Sequence, residues 1–282
     1  MYDSQTNDFL TILKKAQNKL NNAQITNAKK EIDWFLEYIF DIPFYDIRNN
    51  EKFQIKDTHL KQLKEFIDRR VLGEPFQYII NRSTFYGYDF IVNKHTLIPR
   101  PESETIIDTV KKYGFFQDAL DIGTGSGNLA ITLSLEKVIN KIDAIDISSE
   151  ALKIATKNTQ QLKTNNVTFF HQNIFNVLPV KSYDLIVSNP PYISKIEYRN
   201  LNKQVKKYEP QTSLTDNKDG LYFYKFFAKN LFKILKPQGK LILEIGLEKH
   251  KETIQKIFIN NNYKYKWHKD LNGNYRVIEL YQ

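Results

Sequence analysis

The residues best suited to do chemistry are Asn189, Pro190, Pro191 and Tyr192. They follow Tyr183–Ser188, an apolar run that reads as a buried parallel strand. An amide, two prolines and an aromatic ring therefore sit just past a strand's carboxyl end, where open α/β sheets bind ligands. The prolines fix φ and withhold two backbone donors, so the loop is stiff and offers mainly carbonyl acceptors. The Asn189 side chain adds an acceptor, and the Tyr192 ring can cover a planar group. Such a loop suits a planar NH2 group whose hydrogens are held while its nitrogen reacts. In isolation the four residues would be a Pro-Pro turn with a packed ring. The strand before them and a glycine loop upstream favour a site.

That glycine loop is Asp121-Ile122-Gly123-Thr124-Gly125-Ser126-Gly127, between an expected strand, Asp118–Ile122, and an expected helix, Asn128–Leu135. Glycines let the backbone turn sharply and approach a ligand closely. The spacing is G-x-G-x-G after an acid, not the dinucleotide pattern G-x-G-x-x-G. An acid before the loop suits an ammonium or hydroxyl group better than a phosphate. Ile142–Asp146 reads as the next strand, and a carboxylate at its end commonly holds ribose hydroxyls. Because Ser148-Ser149-Glu150 opens a helix, Asp146 also reads as a helix N-terminal acid. Both roles can hold at once.

Taken together, these features resemble a class I S-adenosylmethionine-dependent methyltransferase. The Asn-Pro-Pro-Tyr loop narrows the resemblance to enzymes acting on planar nitrogen, either adenine or a glutamine amide. A second series decides between them: Gly73-Glu74-Pro75-Phe76-Gln77-Tyr78, Phe85-Tyr86-Gly87, and Thr96 through Arg100-Pro101-Glu102-Ser103-Glu104. Glu209-Pro210, Asp219-Gly220-Leu221, Leu243-Glu244-Ile245-Gly246 and Asp270-Leu271-Asn272-Gly273 follow in order. From about Gly73 to the C-terminus the chain is similar to the peptide chain release factor N5-glutamine methyltransferase family. Ribosomal-protein glutamine methyltransferases usually continue Arg-Ser-Pro where this chain has Arg100-Pro101-Glu102, which favours the release-factor branch.

The resemblance implies S-adenosylmethionine as cofactor, contacted by Asp121, Gly123, Thr124, Gly125, Ser126, Gly127, Asp146, Asn173, Ile174 and Asn189. It implies that Asn189 and Pro190 accept from the substrate amide hydrogens, with Pro191 stiffening the loop and Tyr192 packing on the amide plane. The acceptor would be the glutamine of a Gly-Gly-Gln loop in release factors. Two positions depart from the family. Asn81 stands where it usually has Gly, a substitution that left-handed dihedrals tolerate. Asn173-Ile174 stands where it often has Asp-Trp or Asp-Leu beside the adenine.

These groups need elements to hold them. Phe9, Leu10, Ile12 and Leu13, then Ile32, Phe35, Leu36, Ile39 and Phe40, then Leu60, Leu63, Phe66 and Ile67 show helical spacing. Asp57 or Thr58 is the expected cap of the third helix. The resulting expectation is an α/β chain in three parts: a helical bundle over 1–82, which the resemblance implies grips the protein substrate, a β-ribbon linker over 83–98, and a doubly wound class I methyltransferase sheet over 99–282. In that sheet, strands at Val167–Phe170 and Lys240–Ile245 alternate with helices at Glu150–Leu162, Tyr222–Leu235 and Glu248–Ile259. A C-terminal antiparallel hairpin, Tyr263–Trp267 with Tyr275–Tyr281, closes around Asn272-Gly273.

The 282 residues carry no cysteine, which rules out disulfides and thiolate zinc sites, and five histidines, none paired at metal-ligand spacing. No metal is expected. The N-terminal residues from Met1 lack an export pattern and no apolar run approaches membrane-spanning length, so a cytoplasmic location without membrane attachment is expected. The net charge of +9 fits an acidic partner or a Lys-rich composition equally well. Lys203, Lys206 and Lys207, just after the Asn-Pro-Pro-Tyr loop, could steer an acidic surface. A monomer with release factors as partner is expected, with no direct nucleic-acid binding. The competing readings are methyl transfer to a ribosomal-protein glutamine or to adenine in nucleic acid, and a non-catalytic protein on the same fold.

Overall fold

The computed structural model describes residues 4–49, 55–246 and 250–281. The chain divides into two compact units, 1–81 and 82–282. The first is helical, with helices Ser4–Asn22, Ala28–Phe40, Phe44–Asn49, Asp57–Val71 and Phe76–Ile79. Leu20, Ile32, Phe35, Leu36, Leu63, Phe66 and Ile67 meet in its core, as their helical spacing requires. Phe35 and Phe66 stack at 4.3 Å. Arg70 holds Glu31 through two hydrogen bonds in this core. Two expectations are corrected. Leu10 is 48% exposed rather than packed. The fourth helix is preceded by Lys56 without a side-chain cap, and Asp57 sits in the first turn. Its charge there still suits the positive end of the helix.

The second unit begins with an antiparallel ribbon, β1 (Arg82–Phe85) and β2 (Tyr88–Ile91). Asn81 before it adopts φ 53°, the left-handed conformation its side chain tolerates. Phe85 and Phe90 are buried with Ile106, Leu129 and Leu185. The ribbon is thus packed into the second unit.

Seven further strands form one sheet: β3 (Phe116–Ile122), β4 (Ile139–Asp146), β5 (Val167–His171), β6 (Tyr183–Ser188), β7 (Leu235–Glu244), β8 (Lys264–Lys269) and β9 (Tyr275–Tyr281). Their order is β5-β4-β3-β6-β7-β9-β8. The first five are parallel, and β9 runs antiparallel to both neighbours. Side chains along each strand point alternately to two faces. Leu120, Ile122, Ile186 and Leu243 pack with helices Tyr222–Asn230 and Lys251–Ile259. Ala119, Leu185, Val187 and Ile242 pack with helices Glu104–Lys111 and Asn128–Leu135. This is the doubly wound sheet with a C-terminal antiparallel pair. Among the described residues no helix is long and apolar enough to cross a membrane.

Some boundaries differ from expectation. The helix from Tyr222 stops at Asn230, and a 3-10 turn, Leu231–Lys233, follows. Lys236–Gly239 lies inside β7, not before it, and the register against β6 shifts there. Pro237 lacks an N–H for the ladder and Gln238 takes φ 66°, so the strand bulges rather than starts. The expected helix start at Glu248 and the residues Met1–Asp3 lie outside the described residues.

A buried polar cluster ties β7 to the hairpin. Glu279 accepts from His268 Nε2 at 2.8 Å, Lys240 Nζ at 2.9 Å and the Tyr113 hydroxyl at 2.6 Å. Burial alone would raise its pKa, but these three donors hold it down to about 2. The carboxylate therefore stabilises the fold above the unfolded carboxyl range. That contribution, on the order of 3 kcal/mol, is lost as pH falls from about 4.5 towards 2. In urea titrations at stepped pH, the stability gap between the wild type and Glu279→Gln should be widest at neutral pH and shrink across this window. A gap independent of pH would contradict the assignment.

Candidate active site

The sheet order reverses between β3 and β6, because the chain winds one way through β4 and β5 and the other through β7. Register pairs Ile122 with Ser188, and the Ser188 hydroxyl donates to the Ile122 carbonyl at 2.7 Å. The next residues, Gly123 and Asn189, therefore leave the sheet side by side. A cavity of about 330 Å³ opens there, a volume within the ordinary range for a small-ligand site.

One end of the cavity is lined by Gly123–Ser126, Asp146 and Asn173–Phe175. Gly123, Gly125 and Gly127 all have positive φ, at 76°, 57° and 81°. A Cβ on Gly125 would meet nothing within 4 Å, whereas one on Gly127 would lie 2.8 Å from Ile131 Cδ1. Gly125 thus leaves room above the loop, and Gly127 lets the loop pack on the following helix. Asp146 accepts from the Gly125 N–H at 2.8 Å and the Ser148 N–H at 2.8 Å. It joins the glycine loop to the turn after β4. The cap of helix Ser149–Gln161 is Ser148, whose hydroxyl accepts from Ala151. Burial raises the Asp146 pKa.

Asp121 stands one residue before the end of β3, and its Oδ1 has no hydrogen-bond partner. It is fully buried, does not line the cavity, and accepts from the Thr124 hydroxyl at 2.7 Å. Burial pushes its pKa up to about 7. Its visible work is to brace the glycine loop from beneath. Asn173 lines the cavity, but its side-chain oxygen accepts from the Phe175 N–H at 3.0 Å and so shapes its own turn. Ile174 is buried and supplies an apolar wall. Phe175 and Phe223, whose rings are 4.8 Å apart, extend that wall. Neither ring was marked by a motif.

The other end is lined by Leu97, Arg100, Ser103, Asn189, Pro190, Pro191, Pro210, Thr212 and Ser213. The Asn189 Nδ2 donates to Ser103 Oγ at 3.0 Å. Ser103 Oγ donates to Glu244 Oε2, and the Tyr192 hydroxyl donates to Glu244 Oε1 at 3.2 Å. Glu244 is buried, which pushes its pKa up to about 7. Tyr192 does not line the cavity. Its ring lies on Gly246, where a Cβ would fall 2.4 Å from Tyr192 Cδ2. Its ring and hydroxyl thus brace the loop. Arg100 pairs with Glu209 at 2.6 Å, which fixes the wall leading to Pro210.

The donor set fits S-adenosylmethionine. A carboxylate faces the cavity for ribose hydroxyls, apolar walls suit an adenine, and the space over Gly125 admits a close-lying chain. Lys203, Lys206 and Lys207 lie on a short helix, Lys203–Tyr208, that follows the Asn-Pro-Pro-Tyr loop.

Comparison with known proteins agrees. Residues 101–207 match the methyltransferase small domain model, and residues 11–80 match the PrmC N-terminal domain model. A release factor glutamine methyltransferase of Bacillus subtilis is 38% identical over 79% of this chain and 81% of its own length. One from Mycoplasma mycoides is 35% identical over 93% and 95%. A bifunctional methyltransferase of Rickettsia felis is 34% identical over 95% of this chain but 56% of its own length. The chain thus spans about half the length of that relative. A solved methyltransferase structure from Pyrococcus furiosus superposes with a TM-score of 0.54 at 20% identity, covering 80% of this chain and 98% of that one, and so shares the fold.

The two glycines predict separable defects. Gly127→Ala should lower stability by about 1–3 kcal/mol, from left-handed strain and the clash with Ile131. Gly125→Val carries left-handed strain at φ 57° as well and so also lowers stability, but no protein atom lies within 4 Å of its Cβ, and it should in addition weaken S-adenosylmethionine binding. Urea unfolding and titration calorimetry on both variants check this. Wild-type binding by Gly125→Val would remove the loop from the site.

Proposed function

Because the chain belongs to the release factor glutamine methyltransferase family, we propose that it transfers a methyl group from S-adenosylmethionine to the side-chain amide nitrogen of the glutamine in a release factor's Gly-Gly-Gln loop. The observation that carries this reading is the Asn189 amide. Its nitrogen is tied to Ser103 and the residue lines the cavity beside the glycine loop, so Oδ1 is the end of the amide left to accept from a substrate.

An amide nitrogen is a poor nucleophile, because its lone pair is delocalised into the carbonyl. The bound sulfonium supplies an electrophilic methyl group with a neutral thioether as leaving group. The protein's task is alignment. Asn189 Oδ1 and the Pro190 carbonyl accept the two amide hydrogens and aim the nitrogen lone pair at the methyl carbon. The same two oxygens favour the positive charge that develops on nitrogen. One N–C bond forms, the S–C bond breaks, and a proton leaves the nitrogen late, to water. Pro191 keeps the loop rigid, and Tyr192 holds it through Glu244. Asp146 is assigned the ribose hydroxyls, with Gly123–Gly127, Asn173 and Ile174 around the rest of the cofactor. Asp121 supports that loop through Thr124. The helical unit is assigned to the protein substrate, and the ribbon goes with the transferring unit.

Purified protein with methyl-labelled S-adenosylmethionine should label a release factor at the Gly-Gly-Gln glutamine, and glutamate at that position should abolish labelling. Asn189→Ala should cut turnover far more than it weakens cofactor binding. Label on a ribosomal protein, or on adenine in RNA or DNA, with release factor unmodified, would overturn the reading.

For the cofactor end, Asp146→Ala should cost roughly 1.5–3 kcal/mol of S-adenosylhomocysteine binding. The 2′,3′-dideoxy analogue should lose much less. Equal losses for the two ligands would leave Asp146 only its bonds to Gly125 and Ser148.

A further inference from the structure

We propose that Glu244 and Ser103 are positioning residues that set which end of the Asn189 amide faces the acceptor nitrogen. This rests on the proposed amide methyl transfer and deepens it.

Three elements converge here. Ser103 ends a 3-10 turn, Pro101–Ser103, Glu244 ends β7, and Asn189 follows β6. Asn189 is planar and nearly symmetric in shape, so packing alone cannot tell its oxygen from its nitrogen. A reacting NH2 group can: it needs an acceptor, and a flipped Asn189 would present donor to donor. Ser103 has a single proton, and Glu244 Oε2 takes it. The Ser103 lone pairs are then left to accept from Asn189 Nδ2 at 3.0 Å. Burial pushes the Glu244 pKa up to about 7, so above that pH the ionised carboxylate only accepts and fixes the direction of this chain of bonds. Ser103 is 2% exposed and Glu244 1%, so bulk water does not compete for the hydroxyl. The Tyr192 hydroxyl occupies Oε1 at 3.2 Å, and the Tyr224 hydroxyl donates to the Glu244 carbonyl at 2.9 Å. Among charged neighbours, Arg276 favours the Glu244 anion and Glu102 opposes it. Glu244 is therefore pinned through its side chain and its backbone, as a group that orients others should be.

Without the carboxylate, the Ser103 proton is free to turn to Asn189 Oδ1, and the amide can flip. Without the hydroxyl, Nδ2 loses its anchor. Either loss should misalign the acceptor while leaving the cofactor end intact.

The test compares Glu244→Gln, Ser103→Ala, Ser103→Thr and the Glu244→Gln/Ser103→Ala double variant. Single-turnover methyl transfer to release factor is measured at saturating S-adenosylmethionine, together with the Kd for S-adenosylhomocysteine and thermal unfolding. Each of the first two variants should slow transfer about 10- to 100-fold, with Kd within about twofold. The double variant should be no slower than its slower parent by more than about threefold, because both act through one chain of bonds. Ser103→Thr, which keeps the hydroxyl, should retain most of the rate. If Glu244→Gln does not fold, the contrast between Ser103→Ala and Ser103→Thr decides. Wild-type rates in the single variants, or a double-variant loss equal to the product of the singles, would overturn the inference while the proposed function stands. A wild-type protein that labels no glutamine would overturn both.

Discussion

The parallel pairing of β3 with β6 is the constraint on which the site depends. Ile122 opposite Ser188 brings two sequence-distant loops to one point, and the Ser188 hydroxyl fastens the strand ends together. The sheet winds away on both sides, so no crossover covers the gap between them. One loop is glycine-rich and open, and the other is proline-stiffened and rich in acceptors. In the proposed function the first would hold the methyl donor and the second the acceptor amide. A one-residue slip between these strands would turn Ile122 and Ser188 to the wrong faces and separate the loops.

Around this gap sit three carboxyl groups, Asp121 and Glu244 buried and Asp146 half-buried, and desolvation raises the pKa of each. Buried carboxyl groups are costly unless donors surround them. Here Asp146 receives Gly125 and Ser148, Glu244 receives Ser103 and Tyr192, and Asp121 receives Thr124 on Oδ2 while its Oδ1 has no partner. The cost is offset by order. Each carboxyl fixes the conformation of a loop that faces the cavity, which fits a site whose chemistry needs alignment and no strong base.

The parts of this arrangement that are local were legible in the sequence. A strand followed by Asn-Pro-Pro-Tyr, and a strand followed by spaced glycines, each carry their meaning within a few residues. Apolar runs alternating with helical segments also marked the sheet, and Asn272-Gly273 marked its C-terminal hairpin. Tertiary contacts lay beyond local reading. Gly246 and Glu244 meet the ring and hydroxyl of Tyr192. Asp121 adjoins the glycines in sequence, but only the fold sets its bond with Thr124 and leaves its Oδ1 without a hydrogen-bond partner. Ser103 and Glu244 lie 141 positions apart, and neither type advertises a bond to the other. Lys236–Gly239 read as a strand boundary because a bulge and a turn share the same residues.

The central claim is that the glycine loop and Asn189 hold donor and acceptor against each other across the β3–β6 gap. A crystal structure of this protein bound to S-adenosylhomocysteine and a release factor tests it most directly. The account predicts the sulfur beside Gly123, ribose hydroxyls on Asp146, and the glutamine nitrogen about 2.7–3.2 Å from both Asn189 Oδ1 and the Pro190 carbonyl. A cofactor seated elsewhere, or a glutamine side chain bound away from Asn189, would contradict it.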